Sequence, residues 1–188
     1  MDLREVVEFF KDIMWYVIVF AIIIFVLTFL VGIQTVAGNS MDPTLKDGQV
    51  VLVSRLSYKF KDIERNQVVV LNNDGKSYVK RVIGLPGEKV EYIDNILYIN
   101  DEPYKETFLD EKVVTYSFLF KDICDEECPN GVIPENKYLV MGDNRPESED
   151  SRSTKFGLID KKDIKGKVFQ SLLPFKKIKW CFKASFFY

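Results

Sequence analysis

Ser40 opens the hexapeptide Ser40-Met41-Asp42-Pro43-Thr44-Leu45 in a chain of 188 residues that contains no histidine. A serine hydroxyl is a weak nucleophile and needs a neighbour to take its proton, in most serine hydrolases an imidazole. Without imidazole, the side chain able to do this near neutral pH is a desolvated lysine. Lys80 fits, because it lies in the apolar stretch Tyr78-Val79-Lys80-Arg81-Val82-Ile83-Gly84. Val79, Val82 and Ile83 are expected to exclude water and lower its pKa. The chemistry expected is a Ser/Lys dyad, with Ser40 attacking an acyl carbon and Lys80 accepting its proton. Strand alternation sends Lys80 and Arg81 to opposite faces, so the arginine can reach solvent or an acidic partner while the amine stays buried.

The elements that must position these residues read as short β segments with no sustained helical periodicity after Ser40. Val50-Val51-Leu52-Val53 and Val68-Val69-Val70-Leu71 are apolar runs suited to buried strands, and Asn72-Asn73-Asp74-Gly75 signals the turn into the strand of Lys80. Leu85-Pro86-Gly87-Glu88 breaks that strand. Lys89–Ile93 and Ile96–Ile99, joined at Asp94-Asn95, predict a tight hairpin. Residues from about Asp101 to Asn136 read as an irregular polar insertion. Tyr138-Leu139-Val140-Met141 is a further strand, delivering the chain into Gly142-Asp143-Asn144-Arg145-Pro146-Glu147-Ser148-Glu149-Asp150-Ser151-Arg152.

Ahead of the serine, Ile13 to Ile33 is a charge-free run of 21 residues. As a helix it would rise about 32 Å, enough to span the hydrocarbon of a bilayer. Trp15 and Tyr16 suit the headgroup level at its start. A cleaved signal peptide has a shorter apolar core, so the run predicts a permanent anchor. The organisation expected is a tail over 1–12, an anchor over 13–36 and one domain over 37–188, with the insertion at about 88–137. Basic residues balance across the run (Arg4 and Lys11 before it, Lys46 and Arg55 after), so charge leaves the orientation open.

A net charge of −2 gives no footprint for nucleic acid, and no Gly-rich phosphate loop ending in Gly-Lys-Ser/Thr is present. No cofactor is expected. Three cysteines without histidine cannot build a common zinc site, although Cys124-Asp125-Glu126-Glu127-Cys128 has the acidity for loose metal contact. Cys124 and Cys128 are either a disulfide closing a very small loop or two free thiols on the insertion, and Cys181 is left over.

Three blocks thus stand in one order: Ser40 to Leu45; Lys80 to Glu88; and Gly142-Asp143-Asn144-Arg145 with Ser148 and Asp150-Ser151-Arg152. Together they closely resemble type I signal peptidase, from the apolar run to about Leu173. The resemblance implies a mainly β fold: a single amino-terminal transmembrane helix, then a β-rich catalytic domain with a small β-hairpin insertion. It implies a membrane-bound serine endopeptidase that removes signal peptides from exported precursors after small residues of Ala-X-Ala type. Its partners would be those precursors, the lipid bilayer and the export machinery, with the amino terminus cytoplasmic and the domain outside. By matching positions, Ser40 is the nucleophile, Lys80 the general base and Ser148 the hydroxyl that orients the lysine. Arg81, Asp143, Asp150 and Arg152 form a charged framework.

The Ser40 backbone N–H is the first oxyanion donor expected. Gly38 stands where some members carry a donor hydroxyl, and marks an open donor position. Gln49 and Asn66-Gln67 depart from an acidic residue and a Gly-Asp often found there. Val36, Met41, Leu45, Tyr78 and Val79 flank the dyad and are candidate walls of substrate pockets. The basic and aromatic stretch 175–183 suits either a membrane surface or a final strand. Competing functions are a protease dedicated to a narrow precursor set, such as pilins or surface proteins, and a catalytically silent membrane-anchored scaffold.

Overall fold

The computed structural model describes residues 3–110, 112–124, 128 and 131–172. The stretch 175–183, with Cys181, lies outside them. One helix, α1 (Leu3–Phe29), contains a segment, Val7–Val26, long and apolar enough to cross a bilayer. These bounds differ from the anchor expected over 13–36. Lys11 and Asp12 are carried within the helix, since two charged side chains do not interrupt its backbone ladder. Its far end comes early because β1 (Val31–Thr35) pairs instead with β2 (Val50–Ser54), matching Ile33 to Leu52. Apolar content alone does not separate the end of a membrane helix from a strand that follows at once.

The strands β3 (Val68–Asn73), β4 (Lys76–Gly84), β5 (Val90–Ile93), β6 (Ile96–Ile99), β7 (Glu102–Tyr104), β8 (Lys137–Met141), β9 (Ile159–Asp160) and β10 (Ile164–Leu172) follow. They form a seven-stranded sheet in the order β1-β2-β10-β3-β4-β8-β9 and a three-stranded sheet β5-β6-β7. The hairpins sit where the turn residues asked for them. Asp74-Gly75 and Asp94-Asn95 occupy positive φ (47° and 75°, 49° and 66°), the two-residue geometry that matches strand twist.

The stretch read as a polar insertion is built differently. It contains β7, a helical turn at Phe120–Ile123 and a Cys124–Cys128 disulfide. Phe120, Ile123, both cysteines and Ile133 pack with Tyr92 and Leu97 of the small sheet and with Ile83 and Leu139 of the large one. Scattered apolar residues without period become one core cluster, which no local pattern announces. A second cluster joins Val69, Leu71, Val82, Val140 and Phe156, and a third joins Val36, Met41, Leu45, Val51, Val53 and Val70.

Candidate active site

Ser40 lies in the long connection between β1 and β2. The base of that connection is closed by hydrogen bonds from Val36 N–H to Gln49 O (2.8 Å) and from Gly48 N–H to Val36 O (2.9 Å). Met41 and Leu45 anchor it from within, buried in the third cluster beside Val36. These three proposed pocket walls are therefore core residues that hold the loop of Ser40. Tyr78 and Val79 are half-buried on opposite faces of β4, with Tyr78 edge-on to Phe156 at 5.2 Å. Gly38 also departs from the reading. Its φ is +83°, and its N–H is taken by Asp47 Oδ1 at 3.0 Å. A Cβ there would meet open space, so the restriction comes from the backbone conformation.

Lys80 sits in β4 opposite Val69 of β3 and is only 1% exposed. Alternation places it with Val82 and Tyr78, while Val79 and Ile83 belong to the other face. The ring of Phe156, which sequence reasoning missed, completes its surroundings at 5.9 Å from Nζ. Nζ donates to Ser148 Oγ at 2.8 Å. Burial lowers the Lys80 pKa from 10.5 to about 8, against the opposing pull of the Asp150 carboxylate. An amine so placed can take and return a proton near neutral pH.

Gly142 brings the pieces together. The last pair of β8 with β4 is Met141 to Arg81, so the chain leaves the sheet at Gly142 beside Lys80. A Cβ on Gly142 would stand 2.2 Å from Ser148 Oγ and 2.3 Å from Ser40 O. Only a hydrogen fits between the backbone of Ser40 and the hydroxyl that holds the amine. Asn144 ties the same loops, from its N–H to Ser40 O (3.0 Å) and from Nδ2 to Asn39 O (3.1 Å).

The four charged residues proposed as a framework form two ion pairs. Arg81 reaches Asp143 through Nε (2.8 Å) and Nη2 (2.5 Å), and Arg152 grips Asp150 through Nε (2.8 Å) and Nη2 (2.9 Å). Burial alone would raise the Asp150 pKa. The Arg152 bonds and charge outweigh it, with help from the Gly142 N–H at 2.9 Å, and hold the carboxyl below its usual range. Asn66, one of the departures, occupies φ 68°, a left-handed position that asparagine tolerates in place of glycine.

A half-exposed serine whose backbone packs through Gly142 against the hydroxyl that holds a buried lysine amine is an arrangement able to serve a hydrolase with an amine where most use imidazole. Comparison with known proteins points to one family. Residues 7–173 match the family model described as signal peptidase, peptidase S26. The chain is 46% identical over 173 residues to signal peptidase IB of Staphylococcus aureus strain MRSA252, covering 88% of this chain and 90% of that one. It is 40% identical over 146 residues to signal peptidase I of Bacillus licheniformis, covering 77% of each. A crystal structure of a signal peptidase I from Enterococcus faecalis V583 aligns with a TM-score of 0.49 and 31% identity, over 58% of this chain and 98% of that one. The chain belongs to the signal peptidase family, peptidase S26, and is a serine protease of that family.

Proposed function

We propose that this protease is anchored in the cell membrane by α1 and removes signal peptides from exported precursors after small residues in an Ala-X-Ala pattern. Ser40 is the nucleophile and Lys80 the general base. Neutral Lys80 takes the Ser40 Oγ proton as that oxygen attacks the scissile carbonyl, and the Ser40 N–H supports the oxyanion. The ammonium then protonates the leaving amine, the C–N bond breaks, and an ester to Ser40 remains. Lys80 next takes a proton from water, whose oxygen attacks the ester and releases the signal peptide's carboxylate, and Ser40 regains its proton.

The observation that carries this reading is the buried Lys80 amine on Ser148 Oγ, packed through Gly142 against the backbone of Ser40. The Cys124–Cys128 disulfide favours an oxidising compartment, hence a domain outside the membrane and a cytoplasmic amino terminus.

The test is to incubate the detergent-solubilised protein with an exported precursor and sequence the new amino terminus. Cleavage after an Ala-X-Ala motif is expected, and its loss in Ser40→Ala and in Lys80→Ala. Retained cleavage in either folded variant refutes the dyad. Absence of both cleavage and labelling by a serine-directed acylating inhibitor would favour a silent scaffold.

A further inference from the structure

The segment Tyr104-Lys105-Glu106-Thr107-Phe108, which leaves the small sheet at β7, alternates as a strand would. Tyr104, Glu106 and Phe108 turn inward, while Lys105 and Thr107 are exposed. Each inward residue meets a different arginine. The Arg65 guanidinium lies 5.1 Å from the Tyr104 ring, and that of Arg81 lies 4.0 Å from the Phe108 ring. Glu106 takes Arg145 through both terminal nitrogens, Nη1 at 3.1 Å and Nη2 at 2.5 Å.

Arg145 is almost wholly buried, with Nη1 also reaching Tyr92 Oη (3.0 Å) and Thr115 Oγ1 (3.1 Å). Its Nε donates to Gly142 O at 3.0 Å. A buried guanidinium is held where its counter-charge is, because leaving it unpaired is strongly unfavourable. Glu106 thereby governs the place of Arg145, and Arg145 that of the Gly142 carbonyl. Phe108 acts on the neighbouring residue, since Arg81 holds Asp143. Both lines of contact end on the Gly142-Asp143 peptide, where clearance to Ser40 O and Ser148 Oγ is smallest.

We propose that Tyr104–Phe108 is a strap from the small sheet that sets the geometry of the dyad, with Glu106 and Phe108 as positioning residues for the cleavage reaction. This rests on the peptidase reading above. Glu106→Gln keeps the shape and removes the charge that holds Arg145. Misplacement at the reacting atoms should lower kcat by about 10- to 100-fold with KM near the wild-type value. The rising limb of the pH profile should move to higher pH as water reaches Lys80. Phe108→Leu should do the same to a lesser degree, and Lys105→Ala and Thr107→Ala, on the outer side, should leave kcat unchanged.

The measurement is precursor cleavage per competent site, titrated with an acylating inhibitor, alongside amide hydrogen exchange over residues 142–151. Faster exchange in that loop in Glu106→Gln, together with the kcat and pH changes, supports the strap. Wild-type kcat per site and an unmoved pH limb in Glu106→Gln would overturn it, as would unchanged loop exchange. Should Glu106→Gln not fold, the same readouts on Phe108→Leu decide. If the wild type cleaves no precursor while loop exchange still rises in the variant, the peptidase reading fails and the coupling through the strap stands.

Discussion

Replacing Lys80 by methionine tests whether the amine is held against its own preference for charge. The fall in its pKa from 10.5 to about 8, at about 1.4 kcal/mol per pH unit, corresponds to about 3 kcal/mol. The sign follows from where each state binds the proton. Below pH 8 the amine is protonated folded and unfolded, and the folded protein carries the whole cost of burying an ammonium. Between about pH 8 and 10.5 the folded amine is neutral while the unfolded one still binds a proton, so stability rises with pH. Lys80→Met removes that cost and leaves the Ser148 hydroxyl without its partner, a loss of about 1 kcal/mol. The net gain at pH 6 to 7 is about 2 kcal/mol, or about 4–8 °C in Tm. It should fade through pH 8 to 10. The assay is thermal unfolding of detergent-solubilised protein, followed by circular dichroism across that range. A variant that melts below the wild type at pH 6, or a difference that ignores pH, would refute the reasoning. The companion measurement is the wild-type cleavage rate. About one-tenth of Lys80 is neutral at pH 7, against about one in 3,000 for an ordinary lysine, so the rate should climb along a limb centred near pH 8.

Gly142→Ala drives a methyl into the 2.2 Å and 2.3 Å gaps to Ser148 Oγ and Ser40 O, and the second is backbone that cannot step aside cheaply. Cleavage in single turnover should fall by about 100-fold, with about 1–3 kcal/mol lost in unfolding experiments; near-normal turnover would show that the two loops give way. Ser148→Ala should fold normally and turn over more slowly, because Nζ loses the 2.8 Å bond that orients it, and an unchanged kcat would remove Ser148 from the mechanism. Gly38→Ser should lower activity, since φ +83° costs a side chain about 1 kcal/mol and the strain sits two residues from Ser40; a faster enzyme would instead show the new hydroxyl reaching the oxyanion.

What the sequence determined by itself was local. Asp74-Gly75 and Asp94-Asn95 dictate hairpin turns because few residues adopt positive φ, and Val-rich runs beside them dictate strands. An absent histidine and a lysine among apolar residues were enough to propose the dyad, and three ordered blocks were enough to name the family. Tertiary structure decided what depends on residues far apart in the chain. Lys80 is dry because Phe156 and the loop carrying Ser148 cover it from about 70 residues away, and only folding brings that cover. Val36, Met41 and Leu45 became core because a third cluster claimed them. The apolar run divided into helix and strand at Leu30 because β2 offered β1 a partner. Glu106 stayed invisible in a stretch without period, since its meaning lies in Arg145, 39 residues further on, and a buried charge can be interpreted only once its counter-charge is in place.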